Sequence, residues 1–278
     1  MQHFRESHPN KDWIVECNSG RIERVFSKES LRQRYPKELP GRVFSDGSDF
    51  FEVAAAAWVA EKPKDVILDW LTQAHTAKQA HFYLVLNPGE EFNFVIRDIP
   101  VKAVGQKRLS YSGVHCWEEA FYLALILDDE AAFNNLRQYQ SQDFLDPRAE
   151  DLAIGHAFSE FAKGLFNPDA NINALVQEIA TLSDPKYIPP RRQGFIYSVW
   201  LPFVDVMLAV LAKNEAKFQT RMDKALNAHH QFFSDKTKCD GALGWLSMPM
   251  TAAACLAYSQ HGFIQNQTNP YVPSWLVK

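Results

Sequence analysis

The sequence predicts a mainly α protein: an array of stacked antiparallel helix pairs with one small β-hairpin near residues 91–105. Three observations predict it. Apolar side chains recur at helical spacing from Ser48 to Leu86 and again from Cys116 to His261. A period of two is convincing only between residues 91 and 105. Finally, Ala124–Phe133 and Ala209–Phe218, offset by 85 residues, share one pattern of apolar helix, tight polar turn and Glu-Ala-x-Phe.

The elements follow in order. Residues 1–45 are polar, broken by Pro36, Pro40 and Gly41, and carry nine Lys/Arg against six acids. A short helix is expected around Ile22–Arg34. The rest reads as a surface arm anchored by Trp13, Ile14, Val25 and Phe26, or as a flexible tail. The remainder, 46–278, reads as one helical domain. Ser48 or Asp49 can cap a helix carrying Phe50, Phe51, Val53, Ala54, Ala57 and Trp58, which Pro63 ends. Asp65–Leu86 follows, stopped by Asn87-Pro88-Gly89. Phe92, Phe94 and Ile96 alternate with Asn93, Val95 and Arg97, and Ile99–Val104 pairs back through an Asp98–Pro100 turn.

Beyond Cys116 the chain reads as consecutive helices: Trp117–Leu127, Glu130–Tyr139, Pro147–Leu165, Pro168–Leu182, Phe195–Ala212, Glu215–Phe233 and Ser247–His261, the last stopped by Gly262. Pro185, Pro189 and Pro190 mark a loop. Trp200–Ala212 and Met248–Tyr258 are apolar almost all round, so both are expected at the centre, with Trp200, Phe203, Met207, Leu211, Leu246, Cys255 and Leu256 in the core.

Composition bounds the function. A chain of 278 residues buries roughly three-quarters of its unfolded surface and needs no staples. A net charge of −4 and a pI near 6.1 argue against a nucleic-acid binder, which needs Lys and Arg to displace counterions. Cys17, Cys116, Cys239 and Cys255 form no CxxC pair. The polar first 20 residues show no signal peptide, and the apolar stretches of about a dozen residues fall short of the ~20 that a membrane span needs. A cytoplasmic protein is expected.

No catalytic set emerges. His75 and His81 are six residues apart, about 240° around a helix, and His229 and His230 diverge, so neither pair reads as a metal site. His115 reads as a helix-start residue. Glu118-Glu119 and Asp128-Asp129-Glu130 are adjacent acids at helix ends, an arrangement usually solvated rather than set for acid–base work. Ser110, Ser112 and Ser198 sit in no Gly-x-Ser-x-Gly elbow. No metal or cofactor is expected.

Charge is unevenly spread. Between Cys116 and Asp184 thirteen acids face only Arg137, Arg148 and Lys163, a balance of −10 in a chain of −4. Asp128, Asp129, Glu130, Asp143, Asp146, Glu150 and Asp151 are the candidate partner-binding residues, because an acidic face attracts a basic partner and speeds its association. A solvated outer face is the plain alternative.

Particular stretches carry a family resemblance: Trp117 to Asp129 (WEEAFYLALILDD), Pro202–Ala212 leading to Phe218, Ala225-Leu226-x-x-His229, Ser247-Met248-Pro249 to Ala257, and Tyr271-Val272-Pro273-Ser274-Trp275-Leu276. Together they resemble the immunity protein 49 family of bacterial polymorphic toxin systems, over residues 45–277. Val272 stands where that family commonly has leucine. A related helical group, paired with nuclease toxins, ends in a similar tail. The resemblance implies a non-enzymatic inhibitor that neutralises a cognate toxin domain in the cytoplasm, with Ala225, Leu226, His229 and the tail as packing elements. A helical enzyme with an unrecognised site, or a helical adaptor binding a peptide, are the rivals.

Overall fold

A computed structural model describes residues 20, 27–38, 41–107, 109–140, 152–239, 241–265 and 269–277. Helices make up 67% of it, and one antiparallel hairpin is the only sheet among the described residues. In chain order come α1 (Lys28–Glu38), α2 (Val43–Val59), α3 (Lys64–Leu86), β1 (Glu91–Ile96), β2 (Ile99–Val104), α4 (Val114–Ile126) and α5 (Glu130–Leu136). Then follow α6 (Ala153–Gly164), α7 (Ile172–Leu182), α8 (Pro190–Leu211), α9 (Glu215–Phe233) and α10 (Met248–His261).

The proposed anchors of the arm, Trp13, Ile14, Val25 and Phe26, lie outside the described residues. α1 does reach the core, burying Leu31 and Tyr35. α2 begins at Val43, ahead of the expected cap. Ser48 reads as a cap because it is small and polar, yet Gly47 and Ser48 lie where α2 meets α3. A Cβ on Gly47 would lie 2.9 Å from Lys78 Cγ and 3.1 Å from the Ala74 carbonyl, so only glycine allows this approach. Ser48 caps nothing; its Oγ accepts from Lys78 Nζ at 2.8 Å.

α2 ends in a Schellman turn, with the Lys62 N–H on the Ala57 carbonyl at 3.0 Å and Glu61 left-handed at φ 54°. α10 also ends on a left-handed residue, but there it is Gly262, at φ 70°, whose N–H reaches the Tyr258 carbonyl at 2.7 Å. Glu61 is exposed. Glu61→Gly should therefore stabilise the fold by about 0.5–1 kcal/mol, read as a higher unfolding midpoint in urea. A lower midpoint would count against the strain.

The hairpin register pairs Glu91 with Val104 and Ile96 with Ile99. Its turn is Arg97-Asp98, both at positive φ, not the expected Asp98–Pro100. The guanidinium lies 4.2 Å from the Trp70 ring centroid, and the Arg97 N–H donates to Gln73 Oε1 at 2.8 Å, which fixes the turn. Ile96, Ile99, Val101 and Ala103 face inward, towards α3 and α1.

α10 is central, as its composition requires: every residue from Met248 to Ala257 is buried, and it packs on α4 and α8. α8 is not fully enclosed. It starts at Pro190, which was expected in the loop but suits a first helical position. It passes through a π-helical turn at Ile196–Trp200. By length and composition Pro190–Leu211 could cross a membrane: its most apolar 18 residues have a mean hydropathy of 1.9, and half of them are buried inside the fold. Phe203, Val206, Met207 and Val210 point into the core. Leu201, Leu208 and Asp205 line a surface groove of about 370 Å³ against α7 and α9.

Leu211, expected in the core, is only half-buried because it ends α8 where the chain turns outward. Trp200, Phe203, Met207, Leu246, Cys255 and Leu256 are buried as expected.

Candidate functional site

The turn between α4 and α5 is set by its own sequence. α4 closes at Leu127, and Asp128 takes a left-handed conformation at φ 56°, which aspartate tolerates better than most residues. Asp129 is the N-cap of α5, its Oδ1 accepting from the Ala132 N–H at 2.9 Å. Glu130 occupies the first turn, where the helix dipole favours an acid.

This turn forms the lip of a groove of about 690 Å³. The groove runs between α4, α5 and α10 and is also lined by Leu68, Phe166 and Leu276. Its floor is apolar. Cys255 belongs to the floor: its thiol donates to the Leu276 carbonyl at 3.5 Å, and burial pushes its pKa up to about 12, with Asp128 adding to the shift. It is therefore no nucleophile. Arg137, the basic residue of the lining, has its guanidinium 5.8 Å from the Phe133 ring centroid.

The expected acids divide into three groups. Asp128 and Glu130 are exposed and have no ion partner among the described residues. Asp129 is engaged: His75 Nε2 lies 2.9 Å from its Oδ2. Burial works upward on the Asp129 carboxyl, but the Ala132 N–H and His75 outweigh it and hold it below the ordinary range. Asp143, Asp146, Glu150 and Asp151 lie outside the described residues.

Two further acids contradict the expectation of solvated side chains. Glu118 is buried, and the Glu119 side chain is 12% exposed. One partner comes from a distant helix and the other from the first turn of α4 itself. Lys78 of α3, fully buried, donates to Glu119 Oε2 at 2.6 Å and to Ser48 Oγ, and its ammonium sits 3.8 Å from the Phe44 ring centroid. His115 Nδ1 lies 2.6 Å from Glu118 Oε1, and its Nε2 lies 3.5 Å from Glu119 Oε1.

Burial lowers the His115 pKa, but the two carboxylates more than reverse it, so the ring holds its proton more firmly than a free histidine. Burial raises Glu118, while Lys78 and His115 outweigh burial and lower Glu119. These two acids thus belong to a buried charge network rather than to an acidic face.

His75 and His81 act separately, as their spacing implies, whereas His229 and His230 both pack on Tyr271, with His230 Nδ1 2.6 Å from its hydroxyl. His75 meets Asp129, while His81 Nε2 lies 3.0 Å from the Tyr111 carbonyl. His229 Nε2 lies 3.1 Å from the Gly244 carbonyl, and Tyr271 is fully buried, both consistent with packing. The residues missed were His75, Lys78 and Gln79. Their i, i+3, i+4 spacing was the available signal: a polar stripe on one face of α3, which here faces inward. Gln79 completes it by donating to the Ala120 carbonyl at 3.0 Å.

A family model described as Immunity protein 49 matches residues 59–276. No curated protein and no solved structure matches the chain.

Proposed function

The chain belongs to the immunity protein 49 family, and from that premise we propose that it is a non-enzymatic inhibitor that binds and neutralises a cognate bacterial toxin domain in the cytoplasm. The family match over residues 59–276 is the observation that carries this reading. The exposed, unpaired carboxylates of Asp128 and Glu130 support it, because charges on a groove lip steer an oppositely charged partner. The partner is then a basic surface on the toxin. Occluding its active site is the simplest route to neutralisation.

The test separates an inhibitor from an enzyme that repairs or modifies. The cognate toxin domain, sought among the products of the neighbouring genes, is co-expressed with graded amounts of the chain, and growth is measured. An inhibitor protects only at about one molecule or more per toxin and forms an isolable complex. Protection at a small fraction of that ratio would favour the enzyme. Absence of both protection and complex would sink the assignment.

A further inference from the structure

The fold contains two copies of one turn, and their difference separates what folding requires from what it does not. The α4–α5 turn recurs at the α8–α9 turn, 85 residues later. Asp128 and Lys213 are both left-handed, at φ 56° and 51°. The same backbone bonds close each turn. Asp129 N–H reaches the Ala124 carbonyl at 3.0 Å, and Asn214 N–H reaches Ala209 at 3.1 Å. Asp128 N–H reaches Leu125 at 3.4 Å, and Lys213 N–H reaches Val210 at 2.8 Å.

Each turn is then capped alike. Asp129 Oδ1 accepts from Ala132 N–H, and Asn214 Oδ1 from Lys217 N–H, both at 2.9 Å. Phe133 and Phe218, four residues past the caps, are both buried. The chemistry differs: Asp128-Asp129-Glu130 carries three negative charges, while Lys213-Asn214-Glu215 is neutral. Backbone geometry and capping therefore do not require the acid at 128, whereas Asp129 is engaged by His75 and Glu130 has its counterpart in Glu215. Surplus charge at a position that folding leaves free is a mark of recognition.

The charge sits beside apolar surface. Leu127, Phe133, Phe166, Leu256 and Leu276 line the same groove, and its volume of about 690 Å³ lies in the range of pockets that enclose a ligand. Arg137 is drawn onto Phe133 and leaves the lip negative.

We infer that this groove receives a toxin segment carrying a large apolar side chain flanked by arginine or lysine, the apolar group seating on the floor and the cations meeting Asp128 and Glu130. This inference rests on the toxin-inhibitor reading and deepens it.

The experiment exchanges the turns. Asp128→Lys with Asp129→Asn installs the second copy's residues in the first, and Lys213→Asp with Asn214→Asp does the reverse. In Asp129→Asn the side-chain oxygen can still cap α5, while the amide NH2 faces His75 Nε2 as a donor in place of the acceptor Oδ2. A third variant, Ser259→Trp, fills the groove without changing charge; Ser259 is exposed and lines it. Affinity for the toxin domain against which the chain protects is measured at low and high salt.

The first exchange should weaken binding about 100-fold at low salt, and less at high salt, with a single cooperative unfolding transition retained. The reverse exchange should stay within about threefold of wild type, because the second turn carries no recognition. Ser259→Trp should weaken binding at least about tenfold at both salt concentrations, since it blocks the apolar seat.

If wild type binds the toxin and the first exchange or Ser259→Trp binds equally well, the groove inference is overturned while the inhibitor reading stands. If wild type does not bind, both fall. A groove occupied instead by a second copy of the chain would appear as a dimer, lost in Ser259→Trp, and would also overturn it.

Discussion

Lys78→Met is expected to cost about 3–5 kcal/mol, a large part of the ~5–15 kcal/mol that holds a typical domain together. Lys78 is fully buried, and its ammonium is the cation facing Glu119 from α3. Removing it leaves a carboxylate in a dry site with only His115, itself bonded to Glu118, to offset the charge. The loss is therefore the cost of an uncompensated buried charge and exceeds the modest net worth of the intact pair.

A second variant distinguishes this cause from lost packing. Adding Glu119→Gln to Lys78→Met removes the stranded charge and should recover at least about 1–2 kcal/mol. Urea unfolding reads both variants. A single-variant cost below about 1 kcal/mol, or no recovery in the double, would show that the network holds little energy.

Acid lability is the second large effect, and His81 is its main source. Burial pushes its pKa from 6.5 down to about 3; the Tyr111 carbonyl opposes the shift and Lys78 adds to it. The folded state thus keeps the ring neutral down to about pH 3, while the unfolded chain takes up a proton below 6.5. Between those limits the unfolded state binds more protons, so stability falls as pH falls.

From pH 6.5 to 5 the His81 contribution alone is about 2 kcal/mol. His75, lowered by burial against the pull of Asp129, works in the same direction. His115, raised by its carboxylates, works oppositely: its stabilisation is complete below its unfolded pKa and is lost as pH rises through the folded value. His81→Gln keeps a donor for the Tyr111 carbonyl but does not titrate. Urea unfolding at both pH values should show the variant losing about 2 kcal/mol less than wild type. Equal losses would move the acid sensitivity to other groups.

How much was legible in the sequence depended on how local each cause is. The Asn87–Gly89 stop, the start of α9 at Glu215 and the Gly262 cap were readable because capping and helix breaking act within a few residues. The starts of α2 and α8 were not. At α2 a close approach to α3 made a buried surface of residues that look like a cap. At α8 the second of two prolines opened the helix rather than closing a loop. The acids at 128–130 could be found because they are adjacent in the chain, and the repeat made their turn visible twice. Glu118 and Glu119 could not be placed correctly. Their burial depends on Lys78, 41 residues before Glu119 in the chain, and on a histidine that alone reads as a helix start.

By itself, then, the sequence determined the mainly α class, the hairpin, the central position of α10 and the site of the charged turn. These follow from periodicity, capping and composition, which are properties of neighbouring residues. Only the tertiary structure decided which acids are exposed and which are neutralised inside, which side of α8 is open, and that the acidic turn overhangs a groove with apolar side chains in its lining. A carboxylate's state depends on the dielectric and the charges within a few ångströms, and packing brings those neighbours from helices far apart in the chain.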